Sequence, residues 1–220
     1  MLTSQRTPKI DAGRLMIVPL FTLLLIANIL GIRGDVNALG TISSIKVATL
    51  VHRLLIIGFY ALFVLLYLMR SSARMTTNSF AAKTIAIVAT FMPFAIPALG
   101  RPINDPDIML VADVVTISGM IITLYSLSAL GKSISIIPQA RSLVQTGPYR
   151  IVRHPLYLGE LTAILGIVMA RFSLSAMTVF CLLTALQIYR AVQEERILAE
   201  TFPEYESYAL NRARFIPGIY

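Results

Sequence analysis

The chain has 220 residues, of which 56% are hydrophobic and only 14% charged, and its mean hydropathy is +0.76. Soluble domains carry about 25% charged residues, so this composition excludes a water-facing globule and points to a membrane. The net charge of +8 sits in short clusters between apolar runs, the pattern that orients membrane proteins. With no basic amphipathic helix and no aromatic-basic interleaving, nothing points to nucleic acid.

Four runs reach the ~20 residues that a spanning helix needs: 15–32, 47–69, 80–99 and 108–130. The first follows Arg6, Lys9 and Arg14, as a signal peptide would. It is too long for an h-region, however, and no small-x-small site follows it, so it is expected to remain as a helix. Pro19, Pro93 and Pro97 read as kinks. His52 and Arg53, near one end of the second run, either snorkel toward the interface or pair with Asp113. A fifth stretch, 156–189, is long enough for two short helices broken near Arg171, Phe172 and Ser173, because Arg is costly in mid-bilayer. Its first arm, 156–170, is about 22 Å long at 1.5 Å per residue, short for a full span. Cys181, the single cysteine, lies in an apolar run and is expected to be buried as a small hydrophobe.

Lys and Arg are denser at the N-terminus, in the second and fourth loops and in the tail, which places both termini in the cytoplasm. The expectation is an all-α, polytopic integral membrane protein with about six transmembrane helices, the last two forming a short C-terminal hairpin. It divides into a four-helix region, 1–130, and a region 131–220 that carries the chemistry. A hairpin returns its chain to the side it left, so 131–155 and 191–220 face one compartment whatever the orientation.

The informative segment runs from Gly147 through Pro148, Tyr149, Arg150, Arg153, His154, Pro155 and Tyr157 to Gly159. Pro155 disfavours the helical conformation at His154 and suits the first helical position. A helix therefore starts there with free backbone N–H groups, flanked by Arg153, His154 and the Tyr157 hydroxyl. Such an end is an anion site; the same residues also fit a membrane interface with belt aromatics. After the hairpin, Arg190 and Glu194 are four apart, as are Arg196 and Glu200, so both pairs meet on a helix. Glu194 and Glu195 emerge on the side of the proposed anion site. Carboxylates beside an anion site match a zwitterionic amino acid.

The order Gly-Pro-Tyr, Val-Arg-His-Pro-x-Tyr-x-Gly, a short hydrophobic hairpin, Glu-Glu-Arg-x-Leu, Pro-Glu-Tyr-x-x-Tyr and Arg-Phe-Ile-Pro resembles the isoprenylcysteine carboxyl methyltransferase family. Phosphatidylethanolamine N-methyltransferases are more loosely similar. The resemblance covers about 130–217 and implies a membrane methyltransferase with a cytoplasmic pocket for S-adenosylmethionine (SAM). It implies that His154 and Tyr157 hold the SAM carboxylate, that Glu194 or Glu195 holds the amino group or orders a neighbouring Arg, and that Leu143, Val144 and Tyr149 contact the adenosine. Arg153, Arg190 and Glu195 would lie toward the acceptor, a lipophilic or membrane-associated molecule such as a prenylated-cysteine carboxylate or a similar small carboxylate or thiol. No metal is implied. Two other readings compete: an NADPH-dependent sterol-type reductase of related fold, and a non-enzymatic transporter or resistance accessory.

Overall fold

In hydrocarbon every backbone amide must be paired within its own segment, so the apolar runs become helices. A computed structural model describes residues 12–37 and 44–218; Arg6 and Lys9 lie outside them. Helices α1 (Ala12–Asn37) and α2 (Ser44–Met69) form a pair, sealed by Phe21 stacked on Phe63 with ring centroids 4.2 Å apart. A two-residue strand, β1 (Met75–Thr76), follows. Helix α3 (Phe80–Phe91) starts on the Ser79 hydroxyl, which accepts from the Ala82 N–H at 3.2 Å. It tightens into a 3-10 turn at Met92–Ala95 and resumes as α4 (Ile96–Leu99), a change of pitch that falls at Pro93 and Pro97 because neither ring can donate a helical hydrogen bond.

Helix α5 (Pro106–Leu130) is capped by Asp105, whose carboxylate accepts from the amides of Asp107 and Ile108. Strand β2 (Gln139–Ala140) pairs antiparallel with β1, Met75 opposite Ala140. Then come α6 (Pro155–Ala170), α7 (Leu174–Thr201) and the short α8 (Tyr205–Leu210). Five helical stretches among the described residues are long and apolar enough to cross a membrane, and α6 is a shorter apolar one. The architecture is thus all-α and polytopic. The hairpin breaks at Arg171 to Ser173 as expected, but its second arm is not short. With no Gly or Pro between 174 and 201, α7 carries straight through the charged cluster at Arg190 to Glu195. Cys181 is exposed on α7, so the expectation of a buried thiol is corrected: its side of the helix faces outward.

Hydrogen bonds sort the connections into two ends. At one end Arg14 donates to the Arg70 carbonyl at 2.6 Å, the Ser71 N–H to the Lys132 carbonyl at 3.0 Å, and the Arg153 N–H to the Ala213 carbonyl at 2.9 Å. At the other, the Ile103 N–H donates to the Ala170 carbonyl at 3.0 Å, the Ser173 hydroxyl to the Leu99 carbonyl at 2.9 Å, and Arg171 Nε to the Pro97 carbonyl at 3.1 Å. The loop before α6 and the tail after α7 therefore share one end.

The most extensive packing joins α5 to α6. Ala112, Thr116, Gly119 and Thr123 of α5 meet Gly159, Ala163 and Gly166 of α6. A Cβ at Gly159 would stand 2.6 Å from the Thr123 amide nitrogen, and one at Gly166 2.6 Å from the Ala112 carbonyl oxygen. Helix association in lipid rests on such close packing of small residues. The Thr116 and Thr123 hydroxyls are satisfied by the carbonyls of Ala112 and Gly119. This seam pins α6, and with it the polar residues of its first turn.

Candidate active site

A 3-10 turn at Gly147–Arg150 delivers the chain to α6. Gly147 has φ +58°, a left-handed conformation that a side chain resists. Val152 then bridges in parallel to Ala213, and the His154 N–H donates to the Arg214 carbonyl at 3.0 Å. The tail is thus laced along the segment that leads into α6. Pro155 occupies the first helical position, and no side chain caps the helix.

Two adjacent carboxylates of α7 face this helix start and do different things. Glu195 is buried and gathers nitrogen groups: His154 Nε2 at 3.0 Å, Arg153 Nη1 at 3.0 Å, and Arg214 through both Nε and Nη2 at 2.9 Å. The bidentate Arg214 contact joins the tail to α7. Glu194 instead accepts a hydrogen bond from the Tyr157 hydroxyl. The Tyr157 ring lies 2° from parallel with the His154 ring, centroids 5.5 Å apart, and under the Arg190 guanidinium at 4.8 Å.

Around these residues opens a cleft of about 780 Å³. Leu143, Val144, Tyr149, Arg153, His154, Tyr157 and Glu194 all line it. Of the nine residues singled out from sequence, seven therefore converge on one space. Glu195 stands behind the wall as the ion hub, and Arg190 faces elsewhere. The tail supplies Tyr205 and Tyr208. Burial pushes the Tyr208 phenol up to about 12, so it keeps its proton and donates to the Tyr149 carbonyl at 2.8 Å. Tyr149 and Tyr205 are raised for the same reason, burial.

A second space of about 1400 Å³ lies among helices α1 to α7. Its wall is largely apolar, with polar side chains from Glu160, Gln187 and Arg190. Ser135, Leu156 and Tyr157 line both spaces, so Tyr157 is a partition between a polar cleft and an apolar cavity.

Sequence reasoning missed several of these groups. Arg141 and Gln139 reach the cleft from β2 and the residue after it, Arg141 Nη2 donating to Gln139 Oε1 at 2.7 Å; loop residues of this kind carry no periodic signal. Glu160 and Gln187 did have a signal, since each is a strongly polar side chain inside an apolar run.

The elements that build the cleft are also the ones with recognisable relatives. Residues 108–205 match the phospholipid methyltransferase family. That family includes isoprenylcysteine carboxyl methyltransferase-like proteins, so the match agrees with the motif resemblance over their shared stretch, 130–205. It takes in just under half of the chain. The cobalt-zinc-cadmium resistance protein CzcN of Cupriavidus metallidurans is 44% identical over 80 residues, 36% of this chain and 37% of that protein. The nickel-cobalt-cadmium resistance protein NccN of Alcaligenes xylosoxydans xylosoxydans is 35% identical over 83 residues, 37% of this chain and 38% of that protein. The similar stretch thus spans less than two-fifths of either relative. The family match supports a membrane methyltransferase, while the names of the relatives speak of resistance to metals.

Proposed function

We propose that the chain is a membrane-embedded, SAM-dependent methyltransferase that holds its donor in the polar cleft and a lipophilic acceptor in the apolar cavity. One observation carries the reading: the two spaces share the wall of Ser135, Leu156 and Tyr157, so a water-soluble donor and a lipid-soluble acceptor would meet across one thin wall.

The cleft has the chemistry that SAM requires. Leu143, Val144 and Tyr149 offer an apolar and aromatic surface to an adenosine. The uncapped start of α6, with His154, Arg153 and Tyr157, offers donors to a carboxylate, and Glu194 offers a counter-charge to an ammonium. Glu195 orients His154 and Arg153 from behind, and Arg190 serves the acceptor side. SAM supplies an activated methyl group when bound; the chain aligns donor and acceptor and excludes water. Residues 131–220 form the catalytic region, and the excess of Lys and Arg at the cleft end faces the cytoplasm.

Thermal unfolding of the purified protein in lipid nanodiscs, titrated with SAM, its demethylated product and NADPH, tests the reading. SAM and its product should stabilise the protein. Glu194→Gln should weaken SAM roughly tenfold or more, the scale of a lost charge-assisted hydrogen bond. Stabilisation by NADPH alone would favour a reductase and overturn the proposal.

A further inference from the structure

Glu160 lies in α6, one helical turn beyond Tyr157, and faces the apolar cavity. Gln187 Nε2 donates to its Oε2 at 2.9 Å, and Gln187 Oε1 accepts from Arg190 Nη1 at 3.0 Å. Arg190 Nη2 donates to the Ile136 carbonyl at 3.0 Å. Gln187 therefore stands between carboxylate and guanidinium, and no ion pair joins them. Oε1 of Glu160 has no hydrogen-bond partner among the described residues. An unpaired carboxylate at membrane depth is expensive and marks function. Here it ends a cavity walled by Phe94, Met120, Leu127, Ile164 and Ile167, within one turn of the partition to the donor cleft.

We infer that Glu160 is a catalytic base: it receives the head of a long-chain amine in the cavity and takes its proton. The inference rests on the methyltransferase reading. Glu160 accepts one proton from the ammonium head, which frees the nitrogen lone pair. That pair forms the N–C bond to the methyl carbon while the S–C bond breaks, its electrons staying on sulfur. The methylated ammonium leaves, and the Glu160 proton returns to water. A carboxylate acceptor needs no base and would set a second carboxyl group against Glu160. The other titratable groups around Glu160 are Arg190 and Glu194 of α7, Tyr157 of α6 and Tyr149 of the preceding turn. His52 of α2 lines the same cavity.

The full chain in nanodiscs is probed with dodecylamine and dodecanoate, each carrying a diazirine in its chain; labelling by either needs no methyl donor. The amine probe should label peptides of α3, α5 and α6 about tenfold more than the carboxylate probe, and Glu160→Gln should abolish the preference. Equal labelling by the two probes, or a preference that survives Glu160→Gln, overturns the assignment. With SAM and dodecylamine, Glu160→Gln should lower kcat about 100-fold, the scale of a lost general base. The deficit should shrink as pH rises and the amine loses its proton unaided, and Glu160→Asp should keep part of the rate. A pH-independent deficit, or no turnover of the amine by the wild-type protein, contradicts the base role. Binding of tritiated SAM should be equal in wild type and variants, which certifies their folding. If the wild-type protein binds no SAM, the methyltransferase reading fails, and the preference between the two probes still decides what Glu160 recognises.

Discussion

At the scale of single residues, Glu195 organises more of the cleft than any other side chain. It holds Arg153 and His154 at the start of α6 and Arg214 in the tail. Removing one partner of a buried ionic cluster strands the others and costs about 3–5 kcal/mol. Glu195→Gln should therefore lower thermal stability and release the tail, read as earlier tryptic cleavage at Arg212 and Arg214. A cleavage rate equal to wild type would show that the Val152–Ala213 bridge alone secures the tail. The sequence displayed both Glu194 and Glu195 but not their division of labour. Neighbouring helical residues point about 100° apart, so the rotation of α7 in the bundle decides which carboxylate meets the cations and which meets Tyr157.

Among the elements, α6 depends on its seam with α5. At Gly166 an added Cβ would meet backbone atoms of α5, the Thr116 amide nitrogen at 2.7 Å among them, and backbone cannot swing aside. Gly166→Leu should destabilise by at least ~1–3 kcal/mol, the usual scale of overpacking, lowering Tm and displacing the His154–Tyr157 turn with it. Gly58 has only Leu124 side-chain atoms at 4.0 Å, and Gly58→Ala should leave Tm within about a degree of wild type, as surface changes do. The spans and the Arg171–Ser173 break were legible in the apolar runs, because hydrocarbon permits few other solutions. The length of α7 was not. Charge marked an expected exit near Tyr189, yet helix propensity through Arg190 to Thr201 was uninterrupted, and Tyr157, Glu160 and Arg214 meet its polar groups from within the protein.

For the molecule as a whole, the β1 loop, the approach to α6 and the tail lie at one end, and Asn104 and Arg171 at the other. In a Cys181→Ala background, a cysteine at Gln145 or Ser207 should react with an impermeant maleimide from the cytoplasmic side, and one at Asn104 from the opposite side. The motif residues predicted their own convergence, since a hairpin must bring its two ends together. The apolar cavity was not legible: it arises from seven helices spread along the chain, and no local pattern records it. The most direct measurement is transfer of tritium from methyl-labelled SAM into organic-extractable material by the purified protein in nanodiscs. Transfer should be saturable in wild type and fall at least ~100-fold in His154→Ala and Glu194→Gln, as when a positioned donor is lost. Label that never enters the organic phase while SAM is bound, or transfer untouched by both substitutions, would contradict the methyltransferase reading.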